Sequence, residues 1–168
     1  FVTGSNATLL SREIGTALTG RCVSVTLYPL SFSEFVTYKD GRIPPKNEWL
    51  GNGTTLRINR LFKEYMASGG FPEVVLRQFR PLLHEYMKNI VSRDIVSRYH
   101  IRYESSLREL VSFLLSNTGM ILSLDQIRKM TRIKNAMTIK NYLSHLTNAF
   151  VFCSVPMYSH SMKTQIYN

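Results

Sequence analysis

Acidic residues are scarce in this chain of 168 residues: 11 Asp and Glu stand against 21 Lys and Arg, a net charge of +10. That imbalance excludes a self-neutralising surface and points to a polyanion or an acidic protein surface as partner. An acidic neighbouring domain of the same protein would balance it equally well. Cysteine is nearly absent. Cys22 and Cys153 both fall in apolar, strand-like runs, the pattern of buried thiols in a reducing compartment, so a disulfide framework is excluded. Four scattered His and no Cys-x-x-Cys exclude a structural zinc site of the usual spacing. No apolar run approaches the roughly 20 residues of a membrane span, and no leader pattern precedes the first polar loop. A cytoplasmic protein without a membrane partner is therefore expected. A phosphate loop of the form G-x-x-x-x-G-K-[ST] is missing, as is a strand ending in paired acids for Mg²⁺. Neither a Ser/His/Asp nor a Cys/His set is suggested by spacing. Alone, the chain is not expected to hydrolyse a nucleotide.

Hydrophobic residues, at 44%, suffice for a packed core. Phe1 to Asn6 reads as the end of a buried strand. A short helix follows with Leu10, Ile14, Ala17 and Leu18 on one face, ended by Gly20. Val23, Val25 and Leu27 alternate with polar residues, which predicts a half-buried strand from Cys22 to Tyr28. Ser31-x-x-Glu34 has capping-box spacing and starts a helix bearing Phe35 and Val36. Lys39 to Thr55, with Gly41, Pro44, Pro45, Gly51 and Gly53, reads as a linker in which Trp49 packs locally. Ile58, Leu61, Phe62, Tyr65 and Met66 form a helical stripe stopped by Gly69-Gly70. Phe71-Pro72 is expected to be extended. From Pro81 a long helix should reach about Tyr99, with Leu83, Met87, Ile90, Val91 and Ile95 inward.

The last third has its own rhythm. Ser106-x-x-Glu109 and Ser123-x-x-Gln126 each have capping spacing. The first precedes Leu107, Leu110, Val111, Leu114 and Leu115, with Gly119 as stop, and the second precedes Leu124 and Ile127. Asn135 or Thr138 starts a third helix with Ile139, Leu143 and Leu146 inward. Phe150 to Val155 and Met162 to Tyr167 read as two strands of a hairpin. Three helices and a hairpin are the order of a winged helix. The fold expected is mainly α with short β: a remnant of a P-loop α/β sheet over 1–38, a helical linker or lid over 39–100, and a winged-helix domain over 101–168.

Few residues carry chemistry. Thr3, Ser5 and Asn6, at the end of the first strand, could sit near a γ-phosphate or orient attacking water. Ser5 or Asn6 would serve equally as an N-cap. Arg21 follows a glycine and precedes a strand. It could stabilise phosphate charge in its own or a neighbouring subunit, or merely face the preceding helix C-terminus. Asp94 and Arg98, four apart, should pair. From residue 101 onward eight basic residues face three acidic ones. Arg128, Lys129, Arg132, Lys134 and Lys140 cluster around the last two helices. In a helix-turn-helix, Asn135, Thr138, Lys140 and Asn141 would face bases, with Lys163 and His160 at the wing. A protein-docking or lid module with a solvated basic face fits the same pattern.

Several stretches together resemble a known family. Thr3-Gly4-Ser5-Asn6, Leu18-Thr19-Gly20-Arg21 and Leu27-Tyr28-Pro29-Leu30-Ser31-Phe32-x-Glu34-Phe35 look like the second half of bacterial and archaeal AAA-type P-loop ATPases that carry a following domain of unknown function numbered 4143. The likeness continues through Gly69-Gly70-Phe71-Pro72-Glu73, Arg93-Asp94-Ile95-Val96-x-Arg98-Tyr99-x-Ile101-Arg102 and Thr138-Ile139-Lys140-Asn141-Tyr142-Leu143. It implies that Ser5 and its neighbours match a sensor strand and Arg21 a phosphate-sensing or finger arginine. It also implies that ATP and Mg²⁺ bind only in the full-length parent, with no cofactor in this stretch alone. The chain then reads as the middle of an ATP-binding protein that couples nucleotide state to a winged helix. Its partners would be the remaining domains of the same protein, a second copy, or DNA. A DNA-binding regulatory module and a protein-interaction adaptor are the alternatives.

Overall fold

The computed structural model describes residues 23, 25–44, 48, 51–155, 158 and 160. The described residues are mainly helical: they form seven α-helices and one π-helix, with no strand among them. The expected sheet remnant finds no counterpart there. Val23, Val25 and Leu27, the predicted buried face, are exposed, because no neighbouring strand among the described residues covers them.

The chain divides into two compact units, Val23–Tyr86 and a second that begins at Met87. In the first, α1 (Phe32–Asp40) starts as its capping box predicts. Ser31 Oγ accepts from the Glu34 backbone N–H, and Glu34 reaches back to the Ser31 N–H at 2.8 Å. Those bonds, backbone first, hold the Glu34 carboxyl below its usual pKa. Gly41, in the left-handed region, closes the helix. The expected linker is shorter than its composition suggests, because α2 (Asn52–Ser68) already begins at Asn52. Trp49 lies outside the described residues. Phe35, Val36, Leu61 and Val75 make the core of this unit, with Ile58 and Tyr65 against it. Phe62 and Met66 are exposed instead of inward. Phe71 is extended as expected, but Pro72 at once begins a short helix, α3 (Pro72–Arg77), where its missing N–H costs nothing.

α4 (Pro81–Asn89) runs directly into a π-helix, π1 (Ile90–Ser97), so the predicted long helix exists but changes winding midway. Val91 and Ile95 are fully buried, with Met87, Ile90 and Val96 packed on the same core. The Ile101 N–H still reaches back five residues to the Val96 carbonyl. α5 (Glu104–Ser116) begins earlier than its spacing suggested. Ser106 and Glu109 lie inside it, and Tyr103 caps without a side-chain bond. Leu107, Leu110 and Val111 are buried and Leu114 partly so, whereas Leu115 faces solvent. α6 (Leu124–Met130) has the predicted Ser123–Gln126 capping box with both halves formed. Asn135 caps α7 (Ala136–Asn148), accepting from the Met137 N–H at 2.8 Å. Ile139, Tyr142 and Leu146 of α7 complete the core with Ile127 and Ile133.

Residues 150–155 are not the expected strand. Phe150 and Val151 N–H groups bond back to the Thr147 and Leu146 carbonyls, closing α7 with a turn, and the chain runs on irregularly. Met162 to Tyr167, the supposed partner strand, lies outside the described residues. Cys153 is exposed, contrary to the expected buried thiol, since no ladder among the described residues encloses it.

Candidate functional site

The basic residues of the last third gather around α6 and α7. Arg128 and Lys129 occupy the last turn of α6, where cations favour the helix dipole. Arg132 and Lys134 lie in the turn Thr131 to Asn135 that joins the two helices. Ile133 in that turn is buried, which anchors it while its neighbours stay exposed. Along α7 the buried residues Ile139, Tyr142 and Leu146 take one face. Met137, Lys140, Asn141 and Ser144 are exposed at i, i+3, i+4 and i+7, so they share the other. Thr138, expected among the contact residues, is half-buried and only partly available.

Ion pairing sorts these cations. Arg128 pairs with Asp125 at 3.0 Å. Arg132 sits 3.9 Å from Glu109, whose carboxylate also accepts from the Arg132 N–H. Lys129, Lys134 and Lys140 are exposed and have no acid within ion-pair distance among the described residues. Behind this surface, the His145 ring of α7 stacks 3.6 Å from Tyr99. Its Nδ1 is buried with no hydrogen-bond partner among the described residues, and burial pushes the imidazole pKa below its ordinary value. Asp94 and Arg98 pair as predicted, at 3.9 Å.

A second arrangement joins two stretches that spacing left unconnected. The Leu30 N–H donates to the Gly70 carbonyl at 2.7 Å, and the Leu30 carbonyl accepts from the Tyr65 hydroxyl at 2.8 Å. Gly70 is buried, and a Cβ there would collide with the Leu30 oxygen. Only glycine permits so close an approach. The Leu27–Phe35 and Gly69–Glu73 stretches thus meet in one clasp. The two glycines divide the work: Gly69, at φ 69°, ends α2, and Gly70 makes the close approach.

Thr3, Ser5, Asn6, Arg21 and Lys163 lie outside the described residues. His160 is exposed and makes an edge contact with Tyr158 at 5.4 Å. No group of three or more His, Cys, Asp or Glu among the described residues could hold a metal ion. No described helix is long and apolar enough to cross a membrane.

Comparison with known proteins gives two family matches along the chain. Residues 1–36 match a family described as an AAA domain. Over its whole length the chain is 29% identical to an uncharacterized protein of Methanocaldococcus jannaschii, covering 39% of that protein. Over 94% of its length it is 33% identical to an uncharacterized protein of Haemophilus influenzae, covering 38% of it. The chain therefore spans about two fifths of the length of these curated relatives. No solved structure matches it. Residues 59–168, more than half of the chain, match a domain of unknown function numbered 8612, which replaces the expected number 4143. The protein belongs to the family described as domain of unknown function DUF8612.

Proposed function

We propose that this chain is the part of an AAA-type ATP-binding protein that carries nucleotide state into a helical module. The Leu30–Gly70 clasp supports the reading most directly. Leu30 falls in the stretch that matches an AAA domain, and Gly70 in the stretch that matches the DUF8612 family. A backbone approach that excludes any Cβ leaves little slack, so a displacement of one stretch is felt by the other. In this reading Thr3, Ser5 and Asn6 lie near the γ-phosphate, and Arg21 stabilises charge on the phosphoryl group during transfer. ATP and Mg²⁺ supply the reactive phosphate and its counter-charge.

The test uses the full-length protein. Arg21→Ala is expected to lower ATP turnover by about a thousandfold. Gly70→Ala, which forces the clasp apart, and the milder Tyr65→Phe, which removes one hydrogen bond worth about 1 kcal/mol, should leave ATP binding intact. Both should weaken the ATP-dependent change in proteolytic protection of the helices after Gly70. Absence of turnover in the wild type, or turnover indifferent to Arg21→Ala, overturns the reading.

A second reading is favoured by the exposed face of α7. Three lysines with no acidic partner among the described residues stand beside a capped helix, preceded by a short helix and a tight turn. That arrangement suits a helix-turn-helix surface for duplex DNA. Lys129 and Lys134 would contact phosphates, while Lys140 and Asn141 would approach base edges. A winged-helix identity for this region belongs to the same proposal.

A further inference from the structure

A pocket of about 530 Å³ opens in the first unit, between the end of α1, the end of α2 and the turn after α3. Its size lies within the range of small-ligand sites. Val74 and Val75, both almost fully buried, form the floor. On one wall Lys39 Nζ lies 2.6 Å from Glu64 Oε1, with the lysine side chain only 18% exposed and its ammonium 5.5 Å from the centre of the Phe35 ring. The pair neutralises itself and is held from several sides. Ser68, also buried, donates its hydroxyl hydrogen to the Glu64 carbonyl, leaving the oxygen able to accept.

The other wall differs. Arg80 has no acid within ion-pair distance among the described residues, and it lines the pocket. Gln78 stands beside it with φ 51° and ψ 31°, a left-handed conformation that a residue with a long side chain rarely adopts. Glycine would relieve that strain, and strained residues of this kind are found at ligand clamps. The excess charge of the pocket lining is therefore one guanidinium, in a lining that also holds the Glu64 carboxylate, the Gln78 amide and the Ser68 hydroxyl.

We infer that this pocket binds a small organic monocarboxylate that also carries a hydrogen-bond donor. The planar guanidinium of Arg80 matches a carboxylate with two parallel hydrogen bonds. Glu64 and the Ser68 oxygen accept from the donor at the other end, and the Gln78 amide completes the rim. A phosphate dianion is disfavoured, because with Lys39 and Glu64 neutralising each other only Arg80 among the described lining residues is left to meet its two charges. The inference stands apart from the ATPase and DNA readings, since it uses none of their residues.

The experiment titrates the full chain with N-acetylglycine, acetate and inorganic phosphate, following methyl and amide resonances of Val74, Val75 and Gln78. N-acetylglycine is expected to produce saturable shifts with millimolar affinity, stronger than acetate, which lacks the donor. Arg80→Gln should weaken it by roughly tenfold to a hundredfold. Gln78→Gly should raise the melting temperature while weakening binding, an opposition that a purely structural role would not produce. The proposal is overturned if no saturable shift appears by about 10 mM, if Arg80→Gln binds as well as the wild type, or if phosphate binds as tightly as N-acetylglycine.

Discussion

His145 shows how one residue can be packed well and yet remain sensitive to conditions. Its ring is stacked on Tyr99, and its Nδ1 has lost water without gaining a partner among the described residues. Burial disfavours the imidazolium, so the folded-state pKa lies below the ordinary 6.5. As pH falls, the unfolded chain takes up the proton first. Stability is therefore complete above 6.5 and declines as pH drops from there through the lower folded-state value. His145→Phe keeps a ring against Tyr99 and removes the titration. Urea melts at pH of about 5 and about 7.5 should differ in midpoint for the wild type and much less for the variant. Equal pH sensitivity in the two proteins would assign the effect to another group.

At the scale of elements, capping separates sequence signals that hold from those that mislead. Ser106-x-x-Glu109 and Ser123-x-x-Gln126 have the same spacing, yet only the second is a cap. α5 starts at Glu104, which places Ser106 at its third position, inside the helix and not at its cap. Ser123→Ala is expected to cost about 1 kcal/mol by losing the bond to the Gln126 N–H. Ser106→Ala should change stability by no more than about 0.5 kcal/mol. Thermal melts of the two variants decide the assignment. The helical stripes were legible for the same reason that Ser123 was: Leu107, Leu110, Ile139 and Leu146 repeat with the period of a helix and are all fully buried. The clasp was not legible, because no local pattern records that Leu30 will lie against a glycine forty positions on. π1 was hidden too, since its apolar positions read equally well as an ordinary helix. The strand predicted at Cys22–Tyr28 rests on alternation and that at Phe150–Val155 on an apolar run, both local signals, and a strand exists only with a partner.

For the whole molecule, the excess of positive charge sets the expected response to salt. Each lysine that neutralises a DNA phosphate releases a counterion, so log affinity falls with log salt by about 0.9 per contact. Of the cations around α6 and α7, Arg128 and Arg132 are already engaged by Asp125 and Glu109, so they bring less free charge to a polyanion. Lys129 and Lys134 have no such partner among the described residues. On the DNA reading, Lys129→Gln with Lys134→Gln should flatten the salt dependence by about two units of slope. Arg132→Gln should flatten it by less than one such unit, because part of its charge is spent on Glu109. Fluorescence anisotropy with a short duplex across a series of salt concentrations measures both. If duplex binding is undetectable at low salt, the DNA reading fails. If it is detectable but the double substitution leaves the slope unchanged, the contacts lie on another surface. An arginine effect equal to that of the lysine pair would show that the ion pairs open on binding, and would move the contact toward the turn between α6 and α7.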